Sequence, residues 1–437
     1  MTAEVAILNG QGVAMAADSA VTARLPSGEK IFTSANKIFA LSKYQPVGVM
    51  VHGNATFMGV PWETIVKTYR KSLGVRSFKR LPDYASDLLR FLGTNEVLFP
   101  KSAQEGYVRQ TIFSYFAFMR KQLEQVLRSK LEKGRIGRRA VRAAVAEMVD
   151  SHHKRWIQAQ LLPGVPKGTT VALRERCVPV VEQACSKVFE ELPMSKQRLD
   201  RLLDIAAALL LKERHGISSP SASGVVLAGF GADDRFPSLR SFIVEGAVDG
   251  VLQATLDRQA DIGENLRANI TAFAQQEMVF VFMEGVDPDY QKAIEKDLAD
   301  IVVALPGIVI DELSGVDEEG KRALKARIAP VAESMLRQYG EKLVQFRRNR
   351  FVDPIVAAVA MLPKDELATM AESLVSLTSL KRRFSMEAET VGGPTDVAVI
   401  SKGDGLVWIK RKHYFKPELN PHFSANYLRE VADEERT

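Results

Sequence analysis

A threonine at position 2 carries a hydroxyl beside what becomes a free α-amine once Met1 is trimmed, and a residue as small as threonine permits that trimming. Such an amine has an ordinary pKa of about 7.7–8.0, so it can serve as a general base near neutral pH. Nucleophile and base would then sit on one residue. A nearby cation would lower the amine's pKa and ease deprotonation of the hydroxyl. Lys37, at the head of an apolar run, is the candidate cation, and Asp18, at the end of another, is the carboxylate to orient it. Gly53 follows a third apolar run, where its backbone N–H can hold the oxyanion of a tetrahedral intermediate. The chemistry this set would perform is acyl transfer. Each member alone has a plainer account: a common second residue, a turn aspartate, a solvated strand-end lysine, a glycine at a corner of unusual backbone. Only the combination points to catalysis.

Other chemistries lack their residues. Gly10-Gln11-Gly12 follows a strand pattern, but Met15 stands where a dinucleotide loop needs a third small residue, and a strand pattern follows where a helix should. The chain has no Walker-type loop, no His-Glu-x-x-His and no Cys-x-x-Cys, so neither a nucleotide nor a metal cofactor is expected. His152 and His153 point about 100° apart on a helix and read as solvated polar residues. Cys177 and Cys185 read as buried small apolar side chains.

Hairpins must position the candidate residues. Val5–Leu8 and Val13–Ala17 flank the turn Asn9-Gly10-Gln11-Gly12, and Lys37–Leu41 and Val47–Val51 form a second pair. The polar stretch between them, with Pro26 and Gly28, reads as a loop. From Asn54 the period becomes helical to Gly74, and residues 76 to 215 read as almost wholly helical, with a break at Pro163–Pro166. Short strand patterns return at Gly224–Gly229, Leu239–Val244, Gly250–Thr255 and Met278–Met283. A second helical block spans 288–386, and Asp396–Ser401 with Leu406–Lys410 closes the chain as a hairpin before a polar tail. Strands in hairpins and helices in blocks predict antiparallel sheets covered by helices, an α+β class.

With 437 residues, 46% hydrophobic and 26% charged, the composition is that of a globular chain able to bury a large core. No apolar run approaches a membrane span, and the first residues lack the basic and apolar regions of a secretory signal, so a cytoplasmic location is expected. A net charge of +6 is a mild excess over this length.

Taken together, Thr2-Ala3-Glu4-Val5, Gly12 to Ser19, Thr22, Asn36-Lys37-Ile38-Phe39 and His52-Gly53-Asn54-Ala55 resemble the catalytic β subunits of proteasomes and their bacterial proteasome-like relatives. These are N-terminal-nucleophile (Ntn) threonine hydrolases. Asp204 to Gly216 followed by Ser223 to Phe230, and Gly392 to Ile400, are similar to further parts of that family, so the resemblance covers about half the chain. It implies a four-layer αββα sandwich with two large helical insertions. The expected organisation is a discontinuous core of 1–75, 200–287 and 387–415, an insertion at 76–199, a helical block at 288–386 holding the second, and a tail at 416–437.

The resemblance also implies roles: Thr2 as nucleophile, Asp18 and Lys37 as the orienting pair, the Gly53 N–H as oxyanion donor, and Thr22 holding substrate backbone in extended form. Val21, Ala35, Phe39, Val51 and Ala55 would wall the pocket for the residue before the cut, and all are apolar, so cleavage after apolar residues is expected. No cofactor is implied. The implied partners are a peptide or unfolded protein substrate, further copies of the chain in a homo-oligomeric ring, and a separate ATPase. Two serines the family sets near its active amine are absent in register, where Phe282 to Val286 and Glu387 to Gly393 stand; Glu389 and Thr390 are the nearest substitutes.

Two other functions stay open. The missing serines favour a structural subunit without activity. Basic runs at Arg128 to Arg142, Arg347 to Arg350 and Lys410 to Lys412 raise nucleic-acid binding, which the lack of interleaved aromatic residues disfavours. Ile112, Phe113, Phe116, Phe118 and Met119 read as core or subunit contact.

Overall fold

The computed structural model describes residues 3–25, 28–132, 134–190, 192–214, 219, 221–385, 392–413, 415–422 and 425. Strands β1 (Ala3–Asn9), β2 (Gly12–Ala17), β3 (Val21–Leu25), β4 (Gly28–Phe32), β5 (Ile38–Ala40), β6 (Val47–Gly53), β7 (Thr56–Phe57) and β8 (Val60–Pro61) come first. Helices α1 (Trp62–Leu73), α2 (Leu81–Thr94), α3 (Lys101–Leu131), α4 (Arg138–Gln158), α5 (Thr169–Ala184) and α6 (Lys196–Leu211) follow. Strands β9 (Ser223–Gly229), β10 (Ser238–Val248), β11 (Val251–Asp261) and β12 (Ala268–Ala274) then precede α7 (Glu277–Glu284), α8 (Pro288–Asp311), α9 (Glu318–Arg347), α10 (Asp353–Val359) and α11 (Lys364–Phe384). The hairpin of β13 (Asp396–Ser401) and β14 (Gly405–Lys410) is last.

These elements form two compact units. One holds the residues up to Ile38, Arg235–Pro237 and the described residues from Asp261 onward; the other holds Phe39–Asp234 and Ser238–Ala260. The first contains a sheet ordered β12-β1-β2-β13-β14, antiparallel throughout, and a separate β3–β4 ribbon. Its opening turn is fixed by the Asn9 side chain, whose Oδ1 accepts from the Gln11 N–H at 2.9 Å and whose Nδ2 donates to Val359 O at 2.9 Å. Gly12 has no alternative there, since a Cβ would stand 2.4 Å from Ile400 O on β13. Every residue of β1 and β2 is buried. One set of alternate residues, Val5, Ile7, Ala14 and Ala16, packs with Leu367, Ala371, Leu374 and Val375 of α11. The period of two on the strands meets the helical stripe on α11, and each large side chain so buried contributes roughly 1.5–3 kcal/mol.

The second unit has a sheet ordered β11-β10-β9-β6-β5 and the short β7–β8 ribbon. Val49, Val51, Val225 and Leu227 pack with Trp62, Ile65 and Tyr69 of α1 and Leu81, Tyr84 and Leu88 of α2. A second core joins Ile112, Phe116 and Met119 of α3 to Val145 and Trp156 of α4, Cys177 of α5, and Leu202, Ile205 and Leu209 of α6.

The class is mixed α and β with antiparallel sheets, as expected; four-layer stacking is a finer statement than the two units make. Four expectations are corrected. The apolar run Met278–Met283 is helical, within α7, capped by Gly285 at φ 72°. The stretch leading to Gly28 carries the β3–β4 pairing, and β12 is a strand at a place where none was expected. The helix expected from Asn54 begins only at Trp62, because the β7–β8 ribbon intervenes after Gly53 ends β6. Among the described residues no helix is long and apolar enough to cross a membrane.

Candidate active site

Asp18 leaves the end of β2 fully buried, with four donors on its two oxygens. Oδ1 accepts from Lys37 Nζ at 2.6 Å and from the Ala3 N–H at 2.9 Å. Oδ2 accepts from the Ala20 N–H at 3.2 Å and the Gly392 N–H at 2.9 Å. The Lys37 and Asp18 side chains are 5% and 0% exposed. Four donors hold this carboxylate rigid, so it fixes the ammonium's position. Asp18 is the only hydrogen-bond partner of Lys37 Nζ among the described residues, and the remaining two N–H bonds of the ammonium are available to a hydroxyl or amine.

Neighbouring backbone closes around this pair. Ser19 donates through its hydroxyl to Pro394 O, and its own carbonyl accepts from the Ala35 N–H at 3.1 Å. Gly393 lies at φ 79°, and a Cβ there would stand 2.9 Å from the Thr33 Cβ. Ser19 and Gly392 to Pro394 are site residues that sequence reasoning did not assign a role. The Gly-Gly-Pro before the last hairpin was the one signal available for them.

Thr2 lies outside the described residues, as do Glu389 and Thr390, and so does the Thr22 side chain; the Thr22 backbone pairs with Ile31 in the β3–β4 ribbon. Val21 and Ala35 are half-buried in the first unit. Gly53, Phe39, Val51 and Ala55 belong to the second. There Phe39 and Val51 are buried core residues and Ala55 is exposed. Gly53 takes φ 80°, and the following Asn54 donates its N–H to Ala222 O at 3.2 Å and accepts the Ser223 hydroxyl on its carbonyl at 3.0 Å.

The histidines differ from expectation. His152 is buried, with Nδ1 2.8 Å from Tyr115 Oη and Nε2 2.9 Å from Gln122 Oε1, because α3 and α4 pack there; His153 meets Asp204 at 2.9 Å. Both cysteines are buried and unpaired, as expected, and burial pushes each thiol up to about 11. Arg128, Lys130, Arg135, Arg138, Arg139 and Arg142 are exposed. No group of three or more His, Cys, Asp or Glu among the described residues could hold a metal ion.

No family model matches this chain, and no curated protein matches it. Among solved structures it is similar to Anbu (ancestral beta-subunit) from Yersinia bercovieri, at 10% identity over 98% of this chain and 96% of that one, with a TM-score of 0.27. An Anbu mutant from Hyphomicrobium sp. strain MC1 compares at 10% identity over the whole of both chains, with a TM-score of 0.26. These findings correct the expected membership of the proteasome β-subunit family and its bacterial branch. Superpositions at such TM-scores carry no shared fold, and no family model supports the motif resemblance.

Proposed function

We propose that the chain hydrolyses amide bonds by acyl transfer to Thr2. The observation that carries this is the oxygen shared on Asp18: Oδ1 holds both Lys37 Nζ and the Ala3 N–H. One peptide bond therefore separates residue 2 from an atom held beside a buried ammonium.

Removal of Met1 frees the Thr2 amine, and Lys37 favours its neutral form while stabilising the developing alkoxide. The amine takes the proton from Oγ as Oγ attacks the substrate carbonyl. The Gly53 N–H, assigned on sequence grounds, receives the oxyanion. The amine then returns the proton to the leaving nitrogen, and a water activated by the same amine cleaves the ester and restores Thr2. The substrate is a peptide or unfolded protein. Preference for an apolar residue before the cut is assigned on sequence grounds, from Val21, Ala35, Phe39, Val51 and Ala55. Thr22 would hold the substrate backbone.

Intact mass spectrometry tests the first requirement. Retained Met1 would turn the base into an amide nitrogen and end the proposal. With Met1 absent, a fluorogenic peptide with an apolar residue before its cleaved bond should turn over, and Thr2→Ala should lower the rate by on the order of 10³-fold or more. No turnover by either protein would leave a structural role instead.

A further inference from the structure

Helices α8 and α9 pack as a hairpin, joined by a short connection and by Lys325 Nζ with Asp311 Oδ1 at 2.6 Å. Of the 24 residues of α8 only Ile310 is buried, and of the 30 of α9 only Ala332. Helices so long that bury so little do not offset the entropy of ordering them. The seam between the two is marked by Leu298, Val302 and Pro306 on α8, all half-buried, and by Ala332 with the half-buried Leu336 and Leu343 on α9.

Beside that seam run two apolar stripes. Ile301, Leu305 and Ile308 are 59%, 53% and 62% exposed, and Val331, Met335 and Tyr339 are 56%, 65% and 49% exposed. At about 100° per residue each set occupies one face of its helix. Both are offset from the seam in the same rotational sense, which in antiparallel helices puts them on one side of the hairpin. Charge divides between the helices: α8 has five acidic and two basic residues, α9 seven basic and four acidic.

We propose that this face is a self-association surface. Two copies of the chain stack their hairpins face to face about a two-fold axis, with α8 of one protomer lying on α9 of its partner, to close a four-helix bundle. The opposite charges select α8 against α9 over α8 against α8, and this pairing makes all neighbours antiparallel. Six side chains of on the order of 100 Å² each offer about 600 Å² of apolar surface. Flanking residues of the same helices bring this close to the ~800 Å² that one partner contributes to a stable interface. The surface shares no residue with the candidate active site, so its failure and the failure of the hydrolase proposal are separate results.

Sedimentation equilibrium of the full chain should give a mass near twice 48.3 kDa. Leu305→Lys and Met335→Lys, both at exposed positions, should each raise the dimer dissociation constant at least ~10-fold with unchanged circular dichroism. Asp297→Lys and Arg327→Glu should each weaken the dimer, and the two combined should restore it to within about threefold of wild type. A chain that stays monomeric overturns the proposal, as does a dimer that Leu305→Lys leaves intact or a double charge variant no tighter than the single ones. A monomer whose stripes bind an apolar dye only after truncation at Asn426 would assign the face to the chain's own tail and overturn it equally.

Discussion

Lys37 Nζ and Asp18 Oδ1 stand 2.6 Å apart with neither side chain open to solvent, and the Asp18 oxygen that holds the lysine also holds the Ala3 N–H. The pair thus ties the start of β1 to the residue that follows β2 and to the residue that precedes β5. A structural ion pair would need only the two charges; here the same carboxylate also anchors the first strand, and among the described residues it is the only hydrogen-bond partner of the ammonium.

Breaking the pair from either side should be costly. Lys37→Met strands a buried carboxylate, and Asp18→Asn strands the ammonium while turning an amide NH₂ toward backbone N–H groups that then lack an acceptor. Each should lower unfolding free energy by about 3–5 kcal/mol. Chemical denaturation of both variants and of the double variant checks this. The double variant should lose less than the sum of the single losses, because it strands no charge.

A second prediction concerns pH. Trp156 Nε1 donates to Tyr115 Oη at 2.7 Å, so the tyrosine hydroxyl is free to donate to His152 Nδ1 and the neutral ring donates through Nε2 to Gln122. Burial, and secondarily the charge of Arg155, holds the His152 pKa below its ordinary value of 6.5. The unfolded chain therefore binds the proton more tightly than the folded one. The stability tied to the neutral ring is complete above about pH 6.5 and is lost as pH falls through the lower folded value. Thermal melts from pH 7.5 to 5 should show a falling midpoint, with a shallower fall in His152→Asn. Equal slopes would remove His152 as the cause.

What the sequence made legible was local. The β1–β2 hairpin, with Asp18 at its end, follows from two apolar runs around Asn9-Gly10-Gln11-Gly12, and the long helices follow from their period. What it hid was either ambiguous or distant. Met278–Met283 is an unbroken apolar run that periodicity cannot assign, and the αL glycine at 285 decided for helix. The β3–β4 ribbon was disguised by Pro26 and its polar composition. Gly392 reaches Asp18 across 374 positions of chain, a contact no spacing rule encodes. His152 looked solvated because its partners Tyr115 and Gln122 lie on a different helix.

Thiol chemistry offers a third prediction. Cys177 and Cys185 are buried, and desolvation raises both thiols to about 11. At pH 8 almost no thiolate forms, and access is closed as well. Ellman's reagent should find no reactive thiol in the native protein and two after denaturation. Rapid labelling of the native protein at pH 8 would contradict the burial of Cys177 on α5 and of Cys185 just beyond its end.

The glycines before α1 allow a paired comparison. Gly53 and Gly59 both take left-handed backbone, at φ 80° and 85°, so alanine costs each about 1–2 kcal/mol of strain. They differ in surroundings. A Cβ on Gly53 would stand 2.9 Å from Ala222 O, a backbone atom held by the Asn54 N–H, whereas a Cβ on Gly59 meets nothing within 4 Å. Gly59→Ala should therefore show the conformational cost alone, and Gly53→Ala should lose more, because β6 and β9 must separate to admit the methyl. Urea midpoints of the two variants measure the difference. Equal losses would mean that the close approach at Ala222 is not what requires glycine at position 53.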